Sequence, residues 1–180
     1  RSRGLGDVYK RQGYVTWTLS VPSGKLTQTT YPFSVKVSYE YKTIAEGIVR
    51  VVELDYYRRT KDRGGAKSFS YTAGPLKVSL KVPNAIFSRG SSTKIPIMFE
   101  VINIGGGRTY GNKDEAETID KISVSGEGIN CIEEVTLASG QRALISCSID
   151  VGETTQDYID KDFRLTLDYY YVIEEPSSLS

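Results

Sequence analysis

Apolar side chains recur at every second position along most of this chain. The alternation is clearest in four segments, at Leu76, Val78, Leu80 and Val82; Ile95, Ile97, Phe99 and Val101; Ala143, Ile145, Cys147, Ile149 and Val151; and Phe163, Leu165, Leu167, Tyr169 and Tyr171. A period of two predicts strands that bury one face, and no window of useful length carries the 3.6-residue stripe of a helix. Because Gly, Pro and Ser turns separate many short strands, the pattern predicts an all-β fold of the antiparallel β-sandwich type.

The chain also matches itself at an offset of 130 residues, which aligns 13–43 with 143–173 without a gap. The match is one of alternation: Val15, Leu19 and Val21 fall on Ile145, Ile149 and Val151, and Phe33, Val35, Val37, Tyr39 and Tyr41 fall on Phe163, Leu165, Leu167, Tyr169 and Tyr171. Chance is the alternative, since any two amphipathic strands share some alternation. As a repeat, the pattern predicts tandem immunoglobulin-like β-sandwiches. Residues 13–54 would close an incomplete first module, 55–74 would be a polar linker, and 75–180 would be a second module lacking its last strand.

The composition is that of an ordinary folded protein, with 39% apolar and 25% charged residues in a chain of 180. No apolar stretch approaches the roughly 18 residues that a membrane span requires. The chain has no His, which excludes His-assisted nucleophiles, imidazole metal ligands and His proton shuttles. No nucleophile–base pair or metal set can be assembled from the sequence, so we expect no catalytic residues, no cofactor and no metal site.

Residues 1–12, RSRGLGDVYKRQ, follow neither a strand period nor a helix period. They resemble a translated sequencing-adapter tag, and a genuine basic linker is the alternative. They carry four of the 23 basic and one of the 22 acidic residues, so the remainder of the chain has a net charge of about −2. A weakly acidic body gives no general electrostatic reason to bind nucleic acid.

The two cysteines, Cys131 and Cys147, flank a turn at 138–140. If Leu137 pairs with Gln141 across a three-residue loop, the same register places the two cysteines directly opposite each other. Opposed positions of this kind suit a disulfide, which indicates an oxidising compartment outside the cytosol. Two buried free thiols are the alternative.

A family resemblance appears between Ser91 and Val151. An apolar strand followed by Asn-x-Gly is present at Val101, Asn103 and Gly105, and a Leu-x-x-Gly turn before a second apolar strand follows at Leu137, Gly140, Ile145 and Ile149. This arrangement resembles the CARDB group of prokaryotic cell-surface domains and the related NPCBM-associated β-sandwiches. The resemblance implies an immunoglobulin-like sandwich in a tandem array on an exported, usually non-catalytic protein. The long loop NKDEAETID and a disulfide depart from the usual pattern.

Acidic side chains crowd two loops, one with Asp114, Glu115, Glu117 and Asp120 and the other with Glu153, Asp157, Asp160 and Asp162. Such carboxylates suit Ca²⁺, but no EF-hand spacing is present and solvated loops are commonly acidic. A glycosidase pair is another interpretation, yet nothing in the sequence singles out two of the eight.

Tyrosines and basic residues allow further interpretations. By parity Tyr39, Tyr41, Tyr169 and Tyr171 face inward, so we expect them to close the ends of the core with hydroxyls that reach water. Outward tyrosines such as Tyr170 could stack on sugars. The basic run at 58–67 is expected to be a solvated part of the linker.

Together these features predict non-catalytic structural, adhesion or spacer modules of a secreted or cell-surface protein. Two alternatives remain: a carbohydrate-binding ancillary region of an exported enzyme, and a filament or surface-layer subunit that a neighbouring chain completes by strand donation. The expected partner is a protein or a glycan at the cell surface, with no nucleic acid. Membrane attachment would require an anchor outside this chain. A fragment cut at both ends would also expose apolar edges and self-associate.

Overall fold

Two β-sheets contain most of the described residues. The structure is a computed structural model and describes residues 31–83, 87–88, 93–112, 116–152 and 156–179, together with Thr16 and Thr18. Its strands are β1 (Tyr31–Glu53), β2 (Gly65–Tyr71), β3 (Leu76–Lys81), β4 (Phe87–Ser88), β5 (Thr93–Asn103), β6 (Arg108–Tyr110), β7 (Lys121–Glu127), β8 (Asn130–Cys131), β9 (Glu134–Thr136), β10 (Arg142–Val151) and β11 (Tyr158–Leu179). A short helix, α1 (Leu54–Thr60), and a 3₁₀ turn (Ala116–Thr118) complete them. The all-β prediction is confirmed.

The larger sheet, sheet A, has the strand order β2–β1–β11–β7–β9, with β4 paired to β1 and β6 paired to β11. The smaller sheet, sheet B, has the order β3–β5–β10–β8. The strand pairs are antiparallel apart from the two-residue contact between β1 and β4. Two antiparallel sheets over one core form a sandwich, as the sequence predicts.

The core lies between the two sheets and follows the predicted alternation. Sheet B buries Ile97, Phe99 and Ile145, and sheet A buries Leu165 and Leu167, each at most 1% exposed. Aromatic rings join the two layers, since the ring centroids of Phe99 and Phe163 are 5.5 Å apart in an edge-to-face arrangement. This is the arrangement that period-two strands produce when one face of each sheet is removed from water.

Strands β1 and β11 pair over 22 consecutive positions, from Tyr31 opposite Leu179 to Val52 opposite Tyr158. At about 3.3 Å per residue these strands are up to about 75 Å long, several times the usual strand length. No other described strand pairs with residues 31–37 or 173–179. We call this two-stranded extension the arm. Its two outer ends, at Tyr31 and Leu179, lie side by side.

The structure does not confirm the tandem organisation predicted for 13–54 and 75–180. β1 and β11 are neighbours in sheet A, and both contribute to one hydrophobic core. Adjacent strands that face the same core carry the same alternation, which accounts for the internal similarity in 31–43 without a repeated module. The residues 1–15, including the adapter-like 1–12, and Leu19 and Val21 of the proposed repeat lie outside the described residues.

Residues 55–74 also differ from the predicted linker, because they contain most of α1 and all of β2. The carboxylate of Glu53 caps α1 by accepting hydrogen bonds from the backbone N–H groups of Asp55 and Tyr56, at 2.7 and 2.9 Å. β2 then pairs with β1, and Phe69 packs against the core. A polar stretch with a single inward-facing ring therefore forms an edge strand.

The predicted disulfide between Cys131 and Cys147 is present, with a Cα–Cα distance of 4.1 Å. The two residues are opposed in the β8–β10 ladder, as the predicted register requires. The rest of the predicted hairpin is different, because β9 leaves sheet B and pairs with β7 of sheet A. At the turn, a β-bridge joins Ala138 to Arg142, whereas the predicted register pairs Leu137 with Gln141. The disulfide thus lies where the chain crosses between the sheets.

The inward tyrosines differ from the prediction in where their hydroxyls point. Tyr169 and Tyr171 are each 2% exposed, Tyr41 is partly buried and Tyr39 is 38% exposed. The hydroxyl of Tyr169 forms a 2.9 Å hydrogen bond with Oγ1 of Thr43, which is itself 1% exposed. The hydroxyl of Tyr171 is hydrogen-bonded to Asn103 and Gly107. Both buried hydroxyls of β11 are therefore bound by protein groups.

Replacing Tyr169 with Phe should lower the free energy of unfolding by about 1–3 kcal/mol, because it leaves the buried hydroxyl of Thr43 without this partner. Chemical denaturation would measure the loss. Tyr170→Phe, on the opposite face of the same strand, is the matched control and should change stability by less than about 0.5 kcal/mol. Adding Thr43→Val to Tyr169→Phe should recover part of the loss. Equal effects of the two Tyr→Phe variants would contradict this role.

Burial also raises the pKa of Tyr169 above its ordinary value of 10.0. The folded state therefore favours the neutral hydroxyl. This contribution to stability is complete below pH 10 and is lost as the pH rises above it, because the unfolded chain ionises first.

Candidate binding surface

A polar cleft of about 710 Å³ lies where the loop after β5 meets the turn before β10. It is lined by Ile102, Asn103, Gly105, Gly107, Arg108, Ser139, Gly140 and Gln141. The local sequence explains the conformation of both segments. The glycine run forms the first, and Ser139 and Gly140 form the second with positive φ angles of 52° and 70°. Gly140 adopts such an angle without steric cost, whereas Ser139 is a non-glycine residue in the left-handed region.

Asn103 holds the two sides of the cleft together. Its Nδ2 donates hydrogen bonds to the carbonyl oxygens of Gly107 and Gly140, at 2.9 and 3.0 Å. Its Oδ1 accepts from the backbone N–H of Gly105 at 3.1 Å and from the hydroxyl of Tyr171 at 3.0 Å. The hydroxyl of Tyr171 also accepts a 2.8 Å bond from the N–H of Gly107. The amide therefore acts as a structural clamp, and a ligand would meet other groups.

Gly105 and Gly107 are needed because the loop lies directly on Tyr171. A Cβ at Gly105 would be 2.1 Å from the hydroxyl oxygen of Tyr171, and a Cβ at Gly107 would be 2.2 Å from the carbonyl oxygen of Val172. A larger residue at either position would push the loop off β11. The glycines thus permit close packing of the loop.

Arg108 is the charged residue that lines the cleft, and Asp120 binds it from behind. The guanidinium contacts the carboxylate in a bidentate pair, with Nε–Oδ1 at 3.2 Å and Nη2–Oδ2 at 2.6 Å. The Asp120 side chain is 10% exposed and that of Arg108 is 54% exposed. The hydrogen bond from Arg108 to Asp120 raises the pKa of the guanidinium. Arg108 therefore stays charged and presents its free side to the cleft.

The exposed donors of the cleft are the guanidinium of Arg108, the hydroxyl of Ser139 and the amide of Gln141, and all three residues are exposed. Such groups form hydrogen bonds with hydroxyl-rich or anionic ligands and with peptide carbonyls. These three groups supply hydrogen-bond donors, and none of the three is paired as nucleophile and base.

The structure separates the residues of the family resemblance into two groups. Asn103, Gly105 and Gly140 meet at the cleft, although Asn103 and Gly140 are 37 residues apart in the chain. Val101, Leu137, Ile145 and Ile149 are buried in the core. Nothing in the sequence marks Arg108, Ser139 and Gln141 as binding residues except their proximity to the two turns.

A second surface lies on the outer face of sheet A. Tyr170 is opposite Tyr110 in the β6–β11 ladder and opposite Glu40 in the β1–β11 ladder, so these side chains share that face. Both tyrosines are half-buried, and Nζ of Lys36 lies 5.3 Å from the centre of the Tyr110 ring. The expected outward position of Tyr170 is confirmed.

The described carboxylates of the two acidic loops are mostly paired with guanidinium groups. Arg50 donates to both oxygens of Asp160 at 2.7 Å, and Arg59 donates to Asp157 at 2.8 Å. The hydrogen bond from Arg50 holds the pKa of Asp160 below its ordinary value. Asp114, Glu115 and Glu153 lie outside the described residues. Within the described ranges, no group of three or more His, Cys, Asp or Glu side chains could hold a metal ion.

The chain matches no protein-family model, and neither a curated protein nor a solved structure is significantly similar to it. Among the described residues no helix is long and apolar enough to cross a membrane.

Proposed function

We propose that this chain is a non-catalytic structural or adhesion element of a secreted or cell-surface protein. The observation that carries the proposal is the β1–β11 pair, in which Tyr31 and Leu179 lie side by side at the end of the arm. Because β1 and β11 run side by side to Tyr31 and Leu179, the arm extends from the sandwich as a two-stranded stalk. This geometry favours presentation of a binding surface over an in-line spacer, which would have its ends at opposite poles.

The disulfide supports a location outside the cytosol. Cys131 and Cys147 form a bridge in the structure, and such bridges persist in oxidising compartments. We propose, more specifically, that the protein is extracellular or attached to the cell surface. The likeness to CARDB-like and NPCBM-associated sandwiches points in the same direction.

A carbohydrate-binding ancillary role is the second candidate. It is favoured by the opposed Tyr110 and Tyr170 on the outer face of sheet A, because aromatic faces stack on the apolar faces of sugars. This surface and the polar cleft lie on different sets of residues, so mutations can separate them.

The experiment is to export the full chain with an added leader and anchor and then to assay three properties of the displayed protein. We expect both cysteines to resist alkylation until a reductant is added. We expect no turnover of ester, glycoside or phosphodiester substrates. The displayed chain should also bind one ligand from a glycan array or a panel of immobilised surface proteins.

Two variants identify the surface that binds. Loss of at least tenfold in affinity in Arg108→Ala, with Tyr170→Ala unchanged, would support adhesion through the cleft. The reverse pattern would support the carbohydrate-binding candidate. Free thiols after export, or substrate turnover by the purified chain, would refute the proposed function.

A further inference from the structure

Among the described residues, the outer edge of β1 is unpaired along the arm and as far as Thr43. β2 pairs with β1 only between Ala45 and Arg50, and β4 pairs only with Val52 and Glu53. Thr72 closes the ladder at Ile44, whose N–H donates to Thr72 Oγ1 at 3.0 Å and whose carbonyl accepts from the Thr72 N–H at 2.9 Å. Within the described part of the chain, no strand pairs with the outer edge between Tyr31 and Thr43.

The contacts of Ile44 also show which residues of β1 direct their backbone N–H and C=O groups to this edge. Successive residues of a strand point their N–H and C=O groups to opposite sides, and the β1–β11 register is continuous through this region. Since the backbone N–H and C=O groups of Ile44 point to the outer edge, those of the even-numbered residues from Ser34 to Lys42 do so as well. Pro32 has no N–H to donate. The open edge therefore offers five bonding positions, with Ser38 in the middle.

Two opposite charges flank Ser38 on this edge. Lys36 precedes it by two residues and Glu40 follows it by two. We propose that the open edge binds a second copy of this chain, with the two β1 strands antiparallel and a two-fold axis at Ser38. Lys36 of each copy then lies opposite Glu40 of the other, and both pairs are at hydrogen-bonded positions of the new ladder.

Other registers of the same strands are disfavoured. A two-fold axis at Lys36 or at Glu40 would oppose like charges, and an axis at Tyr39 would place Lys36 against Lys42. An axis at Val37 would pair Lys42 with Pro32, which lacks the donor. The axis at Ser38 is the one that uses all five bonding positions and places opposite charges together.

The same register covers exposed apolar side chains on the other face of the strand. Val37 is 50% exposed and Tyr39 is 38% exposed. In the proposed dimer Val37 of one copy lies directly opposite Tyr39 of the other, at a non-hydrogen-bonded position where Cα atoms are about 4.5 Å apart. Apolar contact therefore adds to the ladder and the charge pairs.

Sedimentation equilibrium of the full chain tests the proposal. We expect a dimer that dissociates on dilution. Lys36→Glu and Glu40→Lys should each raise the dissociation constant by about 10- to 100-fold, because each variant creates two like-charge pairs across the interface. The double variant restores opposite charges and should dimerise again. An equimolar mixture of the two single variants should form a heterodimer.

A cross-link tests the register. In a mixture of the Val37→Cys and Tyr39→Cys variants, an intermolecular disulfide should form under mild oxidation, since both positions are exposed and position 37 of one copy lies opposite position 39 of the other. Ser34→Cys is the matched control and should not form one, because the two copies of position 34 are about 27 Å apart along the strands. Circular dichroism would verify that each variant is folded.

Three results would overturn the proposal. The full chain could remain monomeric at all concentrations. It could form a dimer that neither charge reversal weakens. It could also dimerise only after residues 1–30 are deleted, which would show that the N-terminal segment of the chain itself occupies the edge.

Discussion

Replacing Phe99 with Ala is expected to lower the free energy of unfolding by about 3–5 kcal/mol. The ring is fully buried in β5 and packs edge-to-face against Phe163 of the opposite sheet, with Phe69 of β2 beside both. Removing it opens a cavity at the point where three strands of two sheets meet. Chemical denaturation monitored by circular dichroism would measure the loss.

Met98 provides the matched control, because it is the adjacent residue of β5 and is 44% exposed. Met98→Ala should change stability by less than about 1 kcal/mol. The two variants differ by one position in a period of two, so they test which face of β5 is buried. A similar loss in both would contradict the sandwich packing.

Removing the disulfide by Cys131→Ala with Cys147→Ala is expected to lower the free energy of unfolding by about 3 kcal/mol. The bridge joins residues 16 positions apart, and a closed loop of about this length restricts the unfolded chain by that amount. It also holds the two-residue strand β8 against β10 at the crossing between the sheets. Denaturation under non-reducing conditions would measure the effect.

Reduction of the natural protein is the control for this prediction. Reduced wild type should unfold at the same denaturant concentration as the double variant, and reductant should leave the double variant unchanged. A loss of under about 1 kcal/mol in both would show that packing, and not the covalent link, holds β8 in place.

The cleft shows how far local sequence leads toward a binding surface. The turns at 103–107 and 138–141 are evident from their glycines, and the apolar strands beside them are evident from alternation. The distance of Arg108 from Gln141 is not a local property, because it depends on the fold of the 32 residues between them. The carboxylate of Asp120, which belongs to the predicted acidic loop, binds Arg108, which lines the cleft.

The tyrosines of β11 show the same division. Parity assigns Tyr169 and Tyr171 to the inner face, and both are buried. Their hydroxyl partners, Thr43 and Asn103, come from β1 and from the end of β5. A period of two cannot indicate these partners, because it describes one strand at a time.

By itself the sequence determined the all-β class, the buried face of β3, β5, β10 and β11 and the pairing of Cys131 with Cys147, since these depend on alternation and on short-range register. Only the tertiary structure decided that β1 joins β11 in one sheet, that 55–74 contributes a helix and an edge strand, and that β9 crosses to sheet A. The physical reason is that strands facing a common core share one pattern. Their neighbours are chosen by long-range hydrogen bonding and packing, which the pattern does not encode.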